Sequence, residues 1–440
     1  MIDEFPRVPA NLDTDKFLPA LGIFKAWRLQ IYGYAVAAIY AAFLISVYRA
    51  GTWLVDSAGV PVYTDFACAW SATVQALKGG ATALYDPAEF AKIQAALVGP
   101  RDYFYPNWPY PPTFFLIMAP FTVLPYRYGF IVWDVATLLG LIVVVYCIVR
   151  KSPAIALVLA SPFTAWNFLA AHNGFLTGSL LGASLLFLER QPVLAGLFIG
   201  SLTYKPQFGI LLPVALAAAR QWRAFTSAAA TAGIFVGISV AVLGMDAWTA
   251  LPQELAAQTG EVLLAAGNDD PAAEWGYIQT VYGVVRNLNG GAVLAWLIQG
   301  AATSGAAIVV WLVWRSPVRY ALKAATLAAA ALIATPYAFA YDMAAIAVPA
   351  AFLAKDQMRH GFLRGEQVVL TGLFGASLVV LVAFGDRPGG ITFGNTPIGP
   401  LVMITLLGVI LRRICWCVDT SWFPHWGDRG TPRRRAALTA

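Results

Sequence analysis

Residues 126–149 read YRYGFIVWDVATLLGLIVVVYCIV, and Arg127 and Asp134 are the only charges among them. As a helix rising about 1.5 Å per residue, this stretch is roughly 36 Å long, enough to cross a hydrocarbon layer of about 30 Å. The run is continuous rather than alternating, which argues against a strand of a membrane β-barrel. The rest of the chain has the same character. Of 440 residues, 59% are of the set AVILMFWYC and only 12% are Asp, Glu, Lys or Arg. Soluble domains carry about 25% charged residues, so half the usual polar surface is missing. The same figures exclude a disordered chain, a secreted disulfide scaffold and a nucleic-acid binder. The fold class is therefore an all-α polytopic membrane protein.

Working outward from 126–149, about twelve spans are predicted: 29–49, 126–149, 154–171, 174–188, 192–204, 206–219, 223–243, 291–314, 320–335, 337–354, 366–386 and 397–412. Several are shorter than the ~20 residues of a straight crossing, as happens where broken helices build an interior site. Two hydrophilic insertions interrupt the series, about 50–112 and 244–290. The chain divides into an N-terminal segment 1–28, one membrane domain 29–412 and a basic tail 413–440. Basic clusters recur at Lys25/Arg28, Arg150/Lys151, Arg190, Arg220/Arg223, Arg315/Arg319/Lys323, Lys355/Arg359/Arg364 and Arg412/Arg413. Placing all of them in the cytoplasm satisfies the positive-inside rule. Both termini then lie inside and both insertions outside, provided that 113–124 (TFFLIMAPFTVL) is a re-entrant or half-membrane helix. A full crossing by 113–124 would instead put Arg150 and Lys151 outside. The tail carries six arginines from Arg412 onward against Asp419 and Asp428, as expected of an end facing anionic lipid. The first 26 residues hold Asp3, Glu4, Asp13 and Asp15 and no apolar core of a signal peptide. The expected setting is a bacterial inner membrane. The four cysteines, at 68, 147, 415 and 417, make neither a disulfide framework nor a zinc set.

With this topology the unusual polar residues gather on one face. Asp65 lies in the first outer loop, His172 and Asn173 at an outer turn, and Lys205 at the break before Pro206. Arg286 lies in the second outer loop, and Asp342 follows the turn at Thr335-Pro336. A charge at mid-membrane costs ~2.5–3.5 kcal/mol, so Lys205 either snorkels to the interface or grips an anion. Asp342 sits six residues inside an apolar run and is read either as facing a cavity or as a hydrogen-bonded structural acid. Asp65 heads a helix near 65–78, where N-capping is a rival role. Asp134 reads as structural. The first outer loop also holds Tyr103, Phe104, Tyr105, Trp108 and Tyr110 among four prolines. Membrane-interface belts and sugar-binding clefts both use such rings. Three histidines and no ligand-spaced cluster give no indication of a tightly bound metal.

The stretches TDFACAW (64–70), LKGGATALYDPAEF (77–90) and YPPTFFLIMAPFTVLPYRYGFIVWDVATLL (110–139) resemble the opening of glycosyltransferase family 87, within the GT-C superfamily. The segments 172–225, YIQTVYGVVRNL (277–288) and IATPYAFAYDMAAIAVPAAFL (333–353) fit the same pattern. Where many relatives read Gly-Gln, this chain reads His172-Asn173-Gly174. The resemblance implies transfer of a hexose, often mannose, from a polyprenyl-phosphate carrier to an extracytoplasmic glycolipid or glycan. It places Asp65 at the position of the general base, with inversion at the anomeric carbon. Lys205 and Arg286 are then the expected grips on the donor phosphate. His172, Asn173, Tyr341, Asp342, Tyr105 and Trp108 are expected to contact sugar or acceptor. No cofactor is called for, and a divalent metal is chemically optional because the leaving group is already a phosphate. Two other classes fit parts of the pattern: a transporter or lipid flippase, and another lipid-linked transferase such as an O-antigen ligase. A transporter should show matched repeats, and none is found.

Overall fold

A computed structural model describes residues 26–100, 108–258, 278–383 and 397–417. The expected segment 1–28 and tail 413–440 lie mostly outside these residues. Among the described residues there is no strand, only isolated bridges.

The chain opens with α1 (Ala26–Arg49), and the first insertion carries α2 (Asp65–Gln75) and α3 (Pro87–Val98). Next come α4 (Thr113–Thr122), α5 (Tyr126–Val149) and the pair α6 (Pro153–Ala160) and α7 (Pro162–Ala170). Then follow α8 (Gly174–Phe187), α9 (Pro192–Ser201), α10 (Leu212–Ala218) and α11 (Trp222–Leu243). The second insertion carries α12 (Asp246–Gln258) and α13 (Val281–Asn287). The remainder is α14 (Ala292–Arg315), α15 (Tyr320–Ala334), α16 (Ala347–His360), α17 (Glu366–Ala383) and α18 (Gly399–Cys417).

Five described helices, α1, α5, α11, α14 and α18, are long and apolar enough to cross a membrane, and α6–α7 makes a sixth candidate bent by 59°. The expected 154–171 span is this bent pair, broken where Pro162 withholds a backbone N–H. Runs 174–188, 192–204, 206–219 and 320–335 form shorter apolar helices. The sequence expectation for 337–354 overshoots. Residues 337–341 are not helical, and a 3-10 turn at Asp342–Ile346 leads into α16.

The exposed faces of the long helices are apolar: Ile234, Ile238 and Val242 on α11, and Leu297, Ile308 and Leu312 on α14. Surfaces of this size need a non-aqueous surrounding. At the centre stands α15, buried without interruption from Ala324 to Ala334. Its alanines let α14, α16 and α18 pack closely around it. The turn from α7 into α8 is equally close to its neighbours. A Cβ on Gly174 would run into the Tyr341 carbonyl and Asn167 Oδ1, so the His172-Asn173-Gly174 turn is seated directly on the Tyr341 backbone.

Candidate active site

Lys205 lies between two 3-10 turns, Leu202–Tyr204 and Pro206–Phe208. Pro206 prevents the apolar run 192–219 from continuing as one helix, and the kink turns Lys205 into the protein. The side chain is buried, at 4% exposure. Asp342, at 1%, heads the 3-10 turn before α16 and meets it, with Lys205 Nζ donating to Oδ1 at 2.5 Å. The other carboxylate oxygen accepts the Phe339 backbone N–H at 3.1 Å. Both oxygens of Asp342 are thus engaged, whereas the ammonium has given up one of three N–H groups. Removing either partner would leave a lone buried charge, which typically costs about 3–5 kcal/mol.

Aromatic rings surround the ammonium. Its Nζ lies 5.3 Å from the ring centre of Tyr341, 5.5 Å from Phe208 and 5.9 Å from Tyr110. These are cation–π distances, and they favour positive charge in a site short of water. His172 stacks on Tyr341 with centroids 3.6 Å apart, and its Nε2 is 3.0 Å from the Tyr110 hydroxyl. Tyr110 in turn stacks on Phe114 at 4.6 Å, and Phe114 on Tyr204 at 5.3 Å. The Tyr204 hydroxyl is held 2.6 Å from Thr177 Oγ1 on α8. The first insertion, the α7–α8 turn, the α9–α10 break and the segment before α16 are locked together by these rings.

Asp65 is the first residue of α2, and Thr64 before it has the extended backbone of an N-cap. Neither side chain caps the helix, so N-capping does not account for the carboxylate. Asp65 is exposed, yet dense protein surrounds it. Desolvation by that surrounding pushes its carboxyl up to about 7, with Lys205 pulling it back and Asp342 adding to the rise. A carboxylate lining a recess has both properties: single water molecules reach it, but bulk water does not enclose it. The residue shares one electrostatic neighbourhood with the Lys205–Asp342 pair, although about 140 residues separate it from Lys205 in the sequence.

The other expected residues fall in different places. Asn173 is buried at the start of α8, where its carbonyl accepts from Thr177 and Tyr204. Arg286 is buried on α13 and donates to the Gly290 carbonyl. Its segment is tied to the Asp342 segment, because Ile278 bridges Phe339 and the Gln279 N–H donates to the Ala338 carbonyl. The guanidinium is not among the charges acting on Asp65 or Lys205. Trp108 is buried, its faces covered by Phe115 and Phe114 at 5.3 and 5.9 Å, and it backs Tyr110 at 5.1 Å. Tyr105 lies outside the described residues. Asp134 is fully buried on α5 with no hydrogen-bond partner for either oxygen. Arg413, read from sequence as the start of the basic tail, is instead buried and paired with Asp356 and Glu366. Tyr110, Tyr204 and Phe208 complete the site and were not singled out for it. The YKPQF context of Lys205 is the signal that points to the last two.

Among the described residues no group of three or more His, Cys, Asp or Glu side chains could hold a metal ion. The buried cation with free N–H groups, its fixing carboxylate and a second, accessible carboxylate can hold an anion and accept a proton side by side. A family model described as glycosyltransferase family 87 matches residues 108–336. No curated protein and no solved structure matches the chain. The matched stretch is more than half of the chain and contains His172, Lys205 and Arg286, while Asp342 lies six residues after its end and Asp65 lies 43 residues before its start. A membrane-suited helical bundle enclosing such a site agrees with that match, and the chain belongs to glycosyltransferase family 87.

Proposed function

We propose that this glycosyltransferase moves a hexose, mannose in the first instance, from a polyprenyl-phosphate carrier to a glycolipid or glycan acceptor on the extracytoplasmic side of the membrane. The observation that carries the reading is the buried Lys205–Asp342 pair acting in one electrostatic neighbourhood with Asp65. The acceptor hydroxyl attacks the anomeric carbon, its proton passes to Asp65, and the bond from carbon to phosphate oxygen breaks. The phosphate leaves as an anion with the carrier, so it needs donors rather than an acid. A β-linked donor gives an α-linked product.

Asp342 acts in this scheme as a positioning residue. With both oxygens engaged, it fixes the Lys205 side chain and leaves two N–H groups for phosphate oxygens. The pair is close to neutral, so recognition of phosphate rests on directed hydrogen bonds more than on surplus charge. Arg286, on the segment bridged to Phe339, is a second cation that would reach the phosphate from the α13 side. A pKa of about 7 suits Asp65 to the base role, since a general base works best near the operating pH. The paired rings of His172 and Tyr341 supply a flat surface for a sugar. The apolar faces of the surrounding helices give the prenyl chain a route to the site from the lipid.

The test is a transfer assay with purified protein, total membrane glycolipid as acceptor, and radiolabelled sugars on either polyprenyl phosphate or nucleoside diphosphate. Label entering glycolipid from the prenyl donor alone is the expected result. Transfer from the nucleotide donor, with none from the prenyl donor, would overturn the proposal.

A further inference from the structure

At the opposite end of the bundle from Lys205 and Asp342 lies a cavity of about 410 Å³, lined by Glu189, Arg220, Trp314, Arg315, Tyr320 and Lys323 among others. Its position follows from the helices. The site end of α8 is Gly174 and its other end leads to Glu189. The break at Lys205–Phe208 precedes α10, which ends before Arg220. From the cavity, α15 runs from Tyr320 to Ala334, just before the Asp342 segment, a distance of roughly 22 Å at about 1.5 Å per residue. The cavity is therefore a separate place.

Its walls are built. Lys323 and Trp314 are joined twice: the indole N–H donates to the Lys323 carbonyl at 3.1 Å, and Nζ donates to the Trp314 carbonyl at 3.3 Å. Tyr320 packs edge-on against Trp314 at 6.1 Å, and its hydroxyl donates to the Leu185 carbonyl on α8. Arg220 and Arg315 stand exposed at the ends of α10 and α14, where cations suit the carbonyl ends of helices. Arg220 holds a left-handed backbone, φ +55°, which is uncommon for a residue with a side chain.

The charge is one-sided. Three cations line the cavity against one acid, Glu189. Arg190 and Lys355 add their charge at Glu189, so cations outnumber the acid. One wall continues into the apolar outer face of α14, where Leu312 and Ile308 are exposed and Arg315 lies 5.5 Å over the ring of Trp311. A ligand here meets cations, a buried Trp and a half-buried Tyr, and beside them a surface suited to acyl chains.

We propose that this cavity is a phosphate-anion site, and that its occupant is the headgroup of an anionic phospholipid at the membrane face opposite the transfer site. Arg220, Arg315 and Lys323 hold the phosphate, and the acyl chains lie along α14. Three cations answering one phosphate favour a headgroup with net negative charge over a zwitterionic one.

The experiment measures melting of the full chain in lipid nanodiscs. The discs are phosphatidylcholine alone, the same with phosphatidylglycerol, or phosphatidylcholine with millimolar inorganic phosphate in the buffer. Phosphatidylglycerol should raise Tm by several degrees. The double variant Arg220→Gln/Arg315→Gln should lose most of that rise, while Arg223→Gln, on the same face but not lining the cavity, keeps it. Glu189→Gln should enlarge it. An equal rise with inorganic phosphate, lost in the same double variant, would keep the phosphate site and replace the lipid as its occupant. An undiminished rise in the double variant, or the same Tm in discs with and without phosphatidylglycerol, would overturn the proposal. Should the double variant melt early in phosphatidylcholine, Glu189→Gln decides. A smaller rise there means that Glu189 helps to hold the headgroup instead of opposing it, and the anionic assignment fails.

Discussion

Two buried carboxylates belong to one continuous helical stretch, and they are treated in opposite ways. Asp342, at its start, meets a single cation, Lys205, at 2.5 Å. Asp356, near the far end of α16, is met by Arg319 at 2.8 Å, by Arg413 at 3.0 Å and by His360 at 3.3 Å. Arg413 is also used up, donating to Glu366 at 2.6 Å and to the Gly361 carbonyl at 2.7 Å. The far network closes on itself and pins α16, α17 and α18 together. The near pair is left open on the cation's side, with rings rather than acceptors around the ammonium. A closed network serves the fold, because every charge is compensated within the protein. An open pair, equally buried, is a place where a ligand can complete the hydrogen bonding.

That contrast can be broken in several ways. The largest effect is expected from Lys205→Met combined with Asp342→Leu, which removes both charges and leaves neither orphaned. Transfer should fall by more than ~10²-fold, the scale of losing one such donor, while melting shifts little. Unimpaired transfer would mean that the open pair is structural after all. Arg413→Ala should do the reverse: a loss of about 3–5 kcal/mol of stability in denaturant melts, with normal turnover per folded molecule. The pH profile sharpens the comparison further. Because desolvation by the surrounding protein raises the Asp65 carboxyl to about 7, the base is protonated below that pH and ionised above it. Transfer should therefore rise about tenfold per unit up to about pH 7 and then level off, as a single ionisation requires. A flat profile through this range would remove Asp65 from proton transfer. The smallest effect is expected of Tyr110→Phe. It deletes the hydroxyl beside His172 and should cost about 0.5–1.5 kcal/mol, read as a two- to tenfold fall in kcat/KM.

The membrane character, the breaks and most helix positions were legible because they depend on local composition. The run 126–149 and helix α5 have the same bounds, and proline marks the breaks at Pro162 and Pro206. Lys205 and Asp342 stood out as well, since charges in apolar sequence are costly and need a reason, whereas Asp65 stood out through the family resemblance. Their mutual arrangement was not legible, because contacts across 137 residues, as between Lys205 and Asp342, leave no local pattern. Trp108 illustrates the same limit. A Trp in a Pro-rich loop suits a sugar platform and a buried stack equally, and only packing separates the two. Arg413 looked like the edge of a basic tail, since the sequence cannot show that Asp356 and Glu366 await it.

In the proposed reaction one site divides its work, with Lys205 holding the phosphate and Asp65 taking the proton. Asp65→Asn tests this most directly when donor binding and transfer are measured on the same preparation. The expected result is a donor Kd within about threefold of wild type and transfer lower by at least ~10²-fold, the scale of general-base catalysis. Transfer that survives at the wild-type rate, or donor binding that disappears together with it, would contradict the division.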